Sequence, residues 1–469
     1  TVGFAGAGAV LEGPLRRGRS AGPAKGSFIL SARRSFLDFF TNDVGFGGVP
    51  VQYTLNGKAV YDLNPHDRIW LVNLTGIDRI RLGLSDSTPL DEEIANFDVR
   101  YRGWRSATGF NWQHLFARGA VGLLGVTRSD AFVRSTTKDL VRFGPPPPGA
   151  TPDDVINAGQ LVFGENSRES ESTVKYDLTS MMSWTLKLQA GGTLKLFQTA
   201  YRTQSPFGSE NPYAVTAGLD AFELDRRLNT TQAGAYVQAS SDVGRHLNVT
   251  AGARLDRYDF IDATRVSPRL GASYSLADGW RLKGSVGQYY QQPPFLFLAA
   301  FAENRNLAPI QTEHYVGGIE RRAGGGRISA EVYRKNYSDY PVARDYPQLS
   351  LANIGDTFNV REVLFPMVGA GRGHAYGVEL VAEQKSRDRW FGEVNLALSR
   401  SRHAGLDGVL RPGAFDYPIV FNLNGGVALN RQWSLSTRFA WLGGRPFTPF
   451  NNQASAAQRR PIYDLTQVN

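Results

Sequence analysis

Residues able to break or form bonds are sparse in this chain. Its six histidines, His66, His114, His246, His314, His374 and His403, form no H-E-x-x-H pair and no close cluster, so a helical zinc-hydrolase arrangement is absent. No G-x-S-x-G elbow, P-loop or G-x-G-x-x-G after a strand occurs. Cysteine is absent too, which excludes disulfides and thiolate metal sites. The acids Asp91, Glu92 and Glu93, and Asp153 and Asp154, either offer oxygen ligands to a hard cation or are solvated loop charge. No catalytic residue, metal site or cofactor is assigned. What the sequence does offer is aromatic and guanidinium chemistry. Tyr289, Tyr290, Gln291, Phe295 and Phe297 lie in one short run that ends near Arg305. Ring faces with an arginine suit a chelate or another flat ligand. The same rings would equally pack the loop itself or sit in an interfacial belt. Arg254 and Arg438 fall on polar strand faces, placed to meet a solute or an inner domain, or to pair with acids.

The elements that position these residues are strands. In 247–258, Leu247, Val249, Ala251, Ala253 and Leu255 alternate with Asn248, Thr250, Arg254, Asp256 and Tyr258. In 433–441, Trp433, Leu435, Thr437, Phe439 and Trp441 oppose Ser434, Ser436, Arg438 and Ala440. Segments 328–335 and 419–429 repeat the pattern. Alternation with period two means strands with one apolar and one polar face. The joins alternate in length. Short ones fall at 63–67, 117–118, 242–245, 277–279, 323–326, 386–388 and 430–431. Long ones fall at 133–168, 201–228, 291–310 and 341–373. About 18 strands follow, in an antiparallel up-and-down meander.

Composition agrees. The 469 residues are 42% apolar and 12% aromatic, which excludes disorder as the main state. There is no apolar run of about 18 residues, so no spanning helix. The 51 glycines and 24 prolines favour turns and strands. The net charge of +9 is scattered along the chain, which argues against nucleic acid as a partner. It fits contact with anionic outer-leaflet lipid. Only nine of the 52 basic residues are lysine. Arginine suits phosphate and carboxylate partners, although genomic base composition produces the same bias.

The solvent of the apolar face is indicated by tryptophan. Trp184, Trp280, Trp390 and Trp433 each follow a short turn, so they share one level. Such a ring reads as an interfacial girdle; a row of hydrophobic plugs in a soluble barrel is the alternative. A sheet this wide must close in lipid, which tolerates no open edge. The fold class expected is all-β, a large transmembrane antiparallel up-and-down β-barrel with a polar lumen.

Several segments then resemble the TonB-dependent outer-membrane receptors. They are Val266-Ser-Pro-Arg-Leu-Gly-Ala-Ser-Tyr-Ser-Leu with Trp280-Arg-Leu-Lys-Gly-Ser-Val-Gly-Gln-Tyr-Tyr-Gln-Gln-Pro-Pro, then Asn306-Leu-Ala-Pro with Glu313-His-Tyr-Val-Gly-Gly-Ile-Glu. Ile328-Ser-Ala-Glu-Val-Tyr-Arg-Lys, Gly373-His-Ala-Tyr-Gly-Val-Glu-Leu and Gly443-Gly-Arg-Pro-Phe-Thr-Pro follow in order. Leu11-Glu-Gly-Pro-Leu and Gly26-Ser-Phe-Ile-Leu-Ser-Ala look like the first two strands. The resemblance covers essentially the whole chain. It implies a barrel with about 18 of the family's 22 strands present, residues 1–469 forming one partial barrel domain. Residues 461–469 then read as the start of a nineteenth strand, and both ends as cuts, with the family's N-terminal plug domain outside the sequence. It also implies a Gram-negative-type outer-membrane location and active uptake of a siderophore-like chelate, an oligosaccharide or a peptide. The implied partners are TonB-ExbB-ExbD through the plug, outer-membrane lipid and lipopolysaccharide, and a capping lipoprotein. In haem receptors of this family a ligating His lies near the aromatic loop. None lies between Tyr289 and Asn306 here. A plugless porin or structural barrel, and a barrel enzyme with a loop-end Ser/His/Asp cluster, are the alternative functions.

Overall fold

A computed structural model describes residues 2–3, 6–15, 24–36, 50–83, 96–140, 148–205, 222–353, 364–385, 389–458 and 462–467. Among them run twenty strands, eighteen of which are nine residues or longer. In order they are β1 (Val2–Gly3), β2 (Gly6–Pro14), β3 (Gly26–Ser35), β4 (Val51–Asp62), β5 (Asp67–Gly83), β6 (Phe97–Leu115), β7 (Val121–Asp139), β8 (Gln160–Met181), β9 (Leu186–Ser205) and β10 (Phe222–Val243). There follow β11 (Leu247–Tyr258), β12 (Ala263–Ser275), β13 (Trp280–Gln291), β14 (Ile310–Ala323), β15 (Gly326–Ala343), β16 (Met367–Gln384), β17 (Trp390–Ala404), β18 (Leu410–Pro412), β19 (Ile419–Ala428) and β20 (Ser434–Leu442). The chain forms two compact units. One comprises residues 1–179, 191–210 and 216–233; the other comprises 180–190, 211–215 and 234–469.

Within each unit, consecutive strands pair antiparallel, as the alternating joins require. In the first, β5 pairs with β6 over seventeen residues without a slip, from Asp67 opposite His114 to Gly83 opposite Asp98. In the second, β11 and β12 pair from Leu247 opposite Tyr274 to Tyr258 opposite Ala263. One face of each unit carries the exposed large apolar side chains. Leu55, Leu71, Phe110, Val126 and Val174 do so in the first unit, and Leu255, Val286, Ile319, Val332 and Leu380 in the second. The opposite face of β11 carries Arg254, Asp256 and Tyr258. The hydrophobic surface thus points out of the sheet, the reverse of a soluble protein. No helix among the described residues is long and apolar enough to cross a membrane.

The short turns owe their form to local chemistry. Ala323 faces Gly326 across a two-residue loop, and both Gly324 and Gly325 have positive φ, 58° and 84°. A hairpin of that twist favours glycine at both positions. The turn at 386–388 lies outside the described residues, as do Asp91, Glu92 and Glu93.

The long joins are shorter than the sequence reading made them. β7 runs on to Asp139 and β8 begins at Gln160; β9 and β10 similarly extend to Ser205 and from Phe222. The backbone ladder persists there, as in Arg134 opposite Asn166. Most residues there are polar on both faces, and at the start of β8 Leu161, Val162 and Phe163 are apolar in succession, so the alternation that marks a strand in sequence is lost. Within 291–310 the chain forms an α-helix, Phe295–Ala300, and a 3-10 turn, Ala302–Asn306. The expected nineteenth strand is not formed by the described residues. Tyr463 makes a single bridge to Phe450, and Leu465–Gln467 is a 3-10 turn. The Asp464 carboxylate accepts from Thr466 N–H and Oγ1–H, at 3.0 and 2.6 Å, and so favours a turn over a ladder.

Candidate ligand-binding site

The structure divides the six aromatic-loop residues into two groups. Tyr289, Tyr290 and Gln291 end β13. Tyr289 lies on the polar face, and its hydroxyl end lies over Gly287, where a Cβ would crowd it. Arg269, on β12 opposite Gly287, sets its guanidinium 4.5 Å from the centre of the Tyr289 ring. His314, on β14 opposite Gly287, holds its ring 4.4 Å from Tyr289 on the other side. Lys335 stands opposite His314 on β15 and lies 5.3 Å from the Tyr333 ring. Arg265 is 5.7 Å from the Tyr290 ring, and the Tyr258 hydroxyl donates to Tyr290 O at 3.2 Å. Four adjacent strands therefore present arginine, tyrosine, histidine and lysine as one wall. Toward the short turns, Glu331 faces Glu379 across β15 and β16, and the cations Lys283, Arg322 and Arg327 are paired with Glu320.

Phe295 and Phe297 turn inward. They pack against a cluster of Leu298, Leu307, Ala343, Leu349, Phe365 and Met367. Phe260 meets Phe295 edge-on at 5.8 Å, and Arg305 caps Phe260 at 5.1 Å. Of the readings open for these rings, this arrangement corresponds to packing of the loop. Asn304, fully buried, ties that loop to the next one. Its Nδ2 donates to Phe297 O and Phe365 O at 2.8 and 3.0 Å, and its Oδ1 accepts from Met367 N–H at 2.7 Å. A buried amide with its capacity so used is a structural fastener.

Arg254 is committed to an acid. Its Nε and Nη2 reach the Asp256 carboxylate at 2.8 and 2.7 Å, two residues along the same strand. Gly234 on β10 leaves the space this pair occupies. Arg438 stands exposed on β20 opposite Asn424 of β19. The four tryptophans lie at short turns as spaced. Trp184 is 99% exposed, Trp390 and Trp433 are also exposed, and Trp280 is half-buried with Arg321 5.4 Å over its ring. Asp153 and Asp154 serve the start of the helix Pro152–Ala158, where Thr151 and Asp154 form a capping box. Hydrogen bonds from Thr151 hold the Asp154 carboxyl below its ordinary range. Among the described residues no group of three His, Cys, Asp or Glu is placed to hold a metal ion.

Sequence reasoning missed Arg265, Arg269, His314 and Lys335. They are dispersed over three strands, and only the register brings them to Tyr289. Part of the signal was available: counting back from the turns at 277–279 and 323–326 pairs Arg269 with Gly287 and His314 with Lys335, while the β13–β14 register across the long join brings the two pairs together.

A family model described as TonB dependent receptor-like, beta-barrel, matches residues 28–467. No curated protein sequence matches the chain. Among solved structures, the ferripyoverdine receptor of the outer membrane of Pseudomonas aeruginosa superposes with a TM-score of 0.69 at 16% identity, covering 98% of this chain and 63% of that one. The alcaligin outer-membrane receptor from Bordetella pertussis gives 0.60 at 12% identity, covering 93% and 65%. A copper transporter gives 0.59 at 13% identity, covering 90% and 63%. The chain thus spans less than two thirds of the length of these structures, and at such identities the likeness shows the fold.

Proposed function

Since the chain belongs to the TonB-dependent receptor β-barrel family, an outer-membrane family of Gram-negative bacteria, we propose that it is the barrel of a receptor for active uptake of a scarce anionic chelate. The supporting observation is the wall of Arg269, Tyr289, His314 and Lys335, with Arg265 above it. On this reading the polar face lines the lumen, and the wall lies where a ligand entering from the long-loop side meets the barrel. Cations and ring faces at 4–6 Å spacing attract a flat, negatively charged solute by charge and by stacking. An oligosaccharide would call for more hydroxyl and amide partners, and a peptide for a free strand edge. Among the similar structures, a ferripyoverdine receptor and an alcaligin receptor agree with a chelate. The barrel does no bond chemistry. Energy would come from TonB-ExbB-ExbD acting on a plug domain, which Arg438, exposed on the polar face, would meet. The four tryptophans would mark the periplasmic interface.

The test uses the natural gene in a strain deleted for it, starved of iron and supplied with a panel of ferric chelates. Deletion should abolish growth on at least one anionic chelate, in a TonB-dependent manner. Tyr289→Ala and Arg269→Gln should each weaken binding of that chelate by about 3- to 30-fold, the worth of a partly desolvated cation–π contact. TonB-independent leakage of small solutes would overturn the reading in favour of a porin.

A further inference from the structure

On the apolar face of the first unit, two polar rungs interrupt the strands. Asn73 of β5, Thr108 of β6, Arg128 of β7 and Ser172 of β8 stand opposite one another in one rung; Thr75, Ser106, Asp130 and Ser170 form the next. Apolar side chains bound both rungs along the same strands. Leu71, Phe110, Val126 and Val174 lie toward the short turns, and Ile77, Trp104 and Phe132 toward the long joins. The apolar face of the second unit has no such break. Leu282, Gly284 and Val286 follow one another there on β13, and Ile328, Ala330 and Val332 on β15.

Amides, hydroxyls and ion pairs are costly against hydrocarbon. The rungs lower that cost among themselves. Asn73 Nδ2 donates to Thr108 Oγ1 at 2.8 Å, Thr75 Oγ1 donates to Asn73 Oδ1 at 3.0 Å, and Thr75 and Ser106 share a hydrogen bond of 2.9 Å. Arg128 is answered by Asp130 at 3.0 Å, and Arg168, one rung further on, reaches the same carboxylate at 3.1 Å. The Thr108 hydroxyl hydrogen has no acceptor among the described residues, and the hydroxyl oxygens keep lone pairs to spare. Acyl chains offer these groups nothing. A protein surface with donors and acceptors at the same depth does.

The patch fits its own image. Its cation and its anion stand on adjacent rungs of one strand, and its hydroxyls and amide both donate and accept. We propose that it is the contact between two copies of this chain in the membrane, related by a two-fold axis along the membrane normal between β6 and β7. Such an axis turns the patch onto itself. Arg128 of each copy then comes within reach of Asp130 of the other, and Thr108 gains an acceptor. The aromatic rung of Trp104 and Phe132 shields this polar centre, as a rim does. Arg79, Arg102 and Arg134 stand exposed in one row beyond that rung. Strands tilted by about 40° cross between the copies, so each of these arginines lies more than about 10 Å from its image, where such charges are screened. From Val126 to Arg134, at about 3.3 Å per residue, β5 to β8 present about 500 Å². Two copies together reach about 1,000 Å², the size at which specific contacts begin. The contact rests on the outer-membrane location alone, so it stands or falls independently of the uptake reading.

Cross-linking in intact outer membranes tests this, since none of these 469 residues is cysteine. In the natural protein, Thr108→Cys treated with a short bifunctional thiol reagent should give a dimer of twice the chain mass. Leu270→Cys, on the apolar face of β12 in the second unit, should stay monomeric. Adding Asn73→Leu, Thr75→Val, Arg128→Met and Asp130→Leu to Thr108→Cys should lower the dimer fraction at least about tenfold, since each polar contact between membrane segments is worth about threefold. Heat-modifiable migration in gels reports that each barrel is folded. The two single variants decide the matter even where the multiple variant fails to fold. Monomer alone from Thr108→Cys overturns the proposal. So does an equal dimer from Leu270→Cys, which marks random collision. An adduct of Thr108→Cys with a protein of another mass overturns it in favour of a different partner, and undiminished cross-linking of the folded multiple variant removes the polar rungs from the contact and overturns it too.

Discussion

At the scale of single residues, charge in this protein is mostly settled locally. Arg254 finds Asp256 two positions along its own strand, and Arg128 finds Asp130 in the same way. Asp407, in the loop after β17, follows the rule and titrates informatively. Burial disfavours its charge, but bonds from Arg411 at 3.0 and 2.7 Å and from Val409 N–H at 3.1 Å prevail, and its carboxyl sits below the ordinary range. A folded pKa below the unfolded one gives stability that is full above the unfolded value, about 3.9. That stability is lost as pH falls through the lower folded value. Amide exchange across 405–411 should therefore rise only in acid, and Asp407→Asn should show the acid behaviour at pH 7. Identical exchange in the two proteins at both pH values would remove Asp407 from the holding of this loop. Arg79, Arg102 and Arg134 break the local rule and stand exposed in one row across three strands.

At the scale of elements, period-two alternation carries the fold. Where one face meets lipid, as in 247–255 or 328–333, every strand is plain from the order of residues. Where strands continue beyond the apolar band, the two faces no longer differ in polarity and the signal vanishes, which is why β7, β8, β9 and β10 extend further than the alternation marks. The assignment of faces is testable within one strand. Val332 is 56% exposed on the apolar face of β15, and Glu331 beside it lies on the polar face. Val332→Arg should destabilise the barrel by about 2–4 kcal/mol near the bilayer midplane. Glu331→Gln should leave unfolding within about 0.5 kcal/mol of the parent. Chemical denaturation in lipid vesicles measures both, and the opposite ranking would exchange the two faces. The loop of Phe295–Ala300 teaches the converse. Its rings carry the strongest aromatic signal in the sequence, yet their number reflects a small core under a loop, held by Asn304, with Tyr289 left to face the lumen wall.

At the scale of the whole molecule, the alternation of short and long joins implies an orientation. Outer-membrane barrels keep short turns in the periplasm and long loops outside. An epitope inserted at Gly149 should be labelled on intact cells, and one inserted at Gly244 only after the outer membrane is opened; the reverse pattern would invert the topology. Class, meander, location and family were all legible without coordinates, because they depend on periodicity and turn spacing, which are properties of neighbours along a chain. The short-turn tryptophans belong to the same category. What the order of residues left open is which rungs coincide. His314 against Tyr289, Arg269 over the same ring, and Arg79 beside Arg102 and Arg134 are pairings between residues 20 to 32 positions apart. A shift of one residue in register would send each of them to the opposite face. Only the folded ladder, with its turns closed and its bulges placed, decides such contacts, and the binding wall proposed for this protein is made of them.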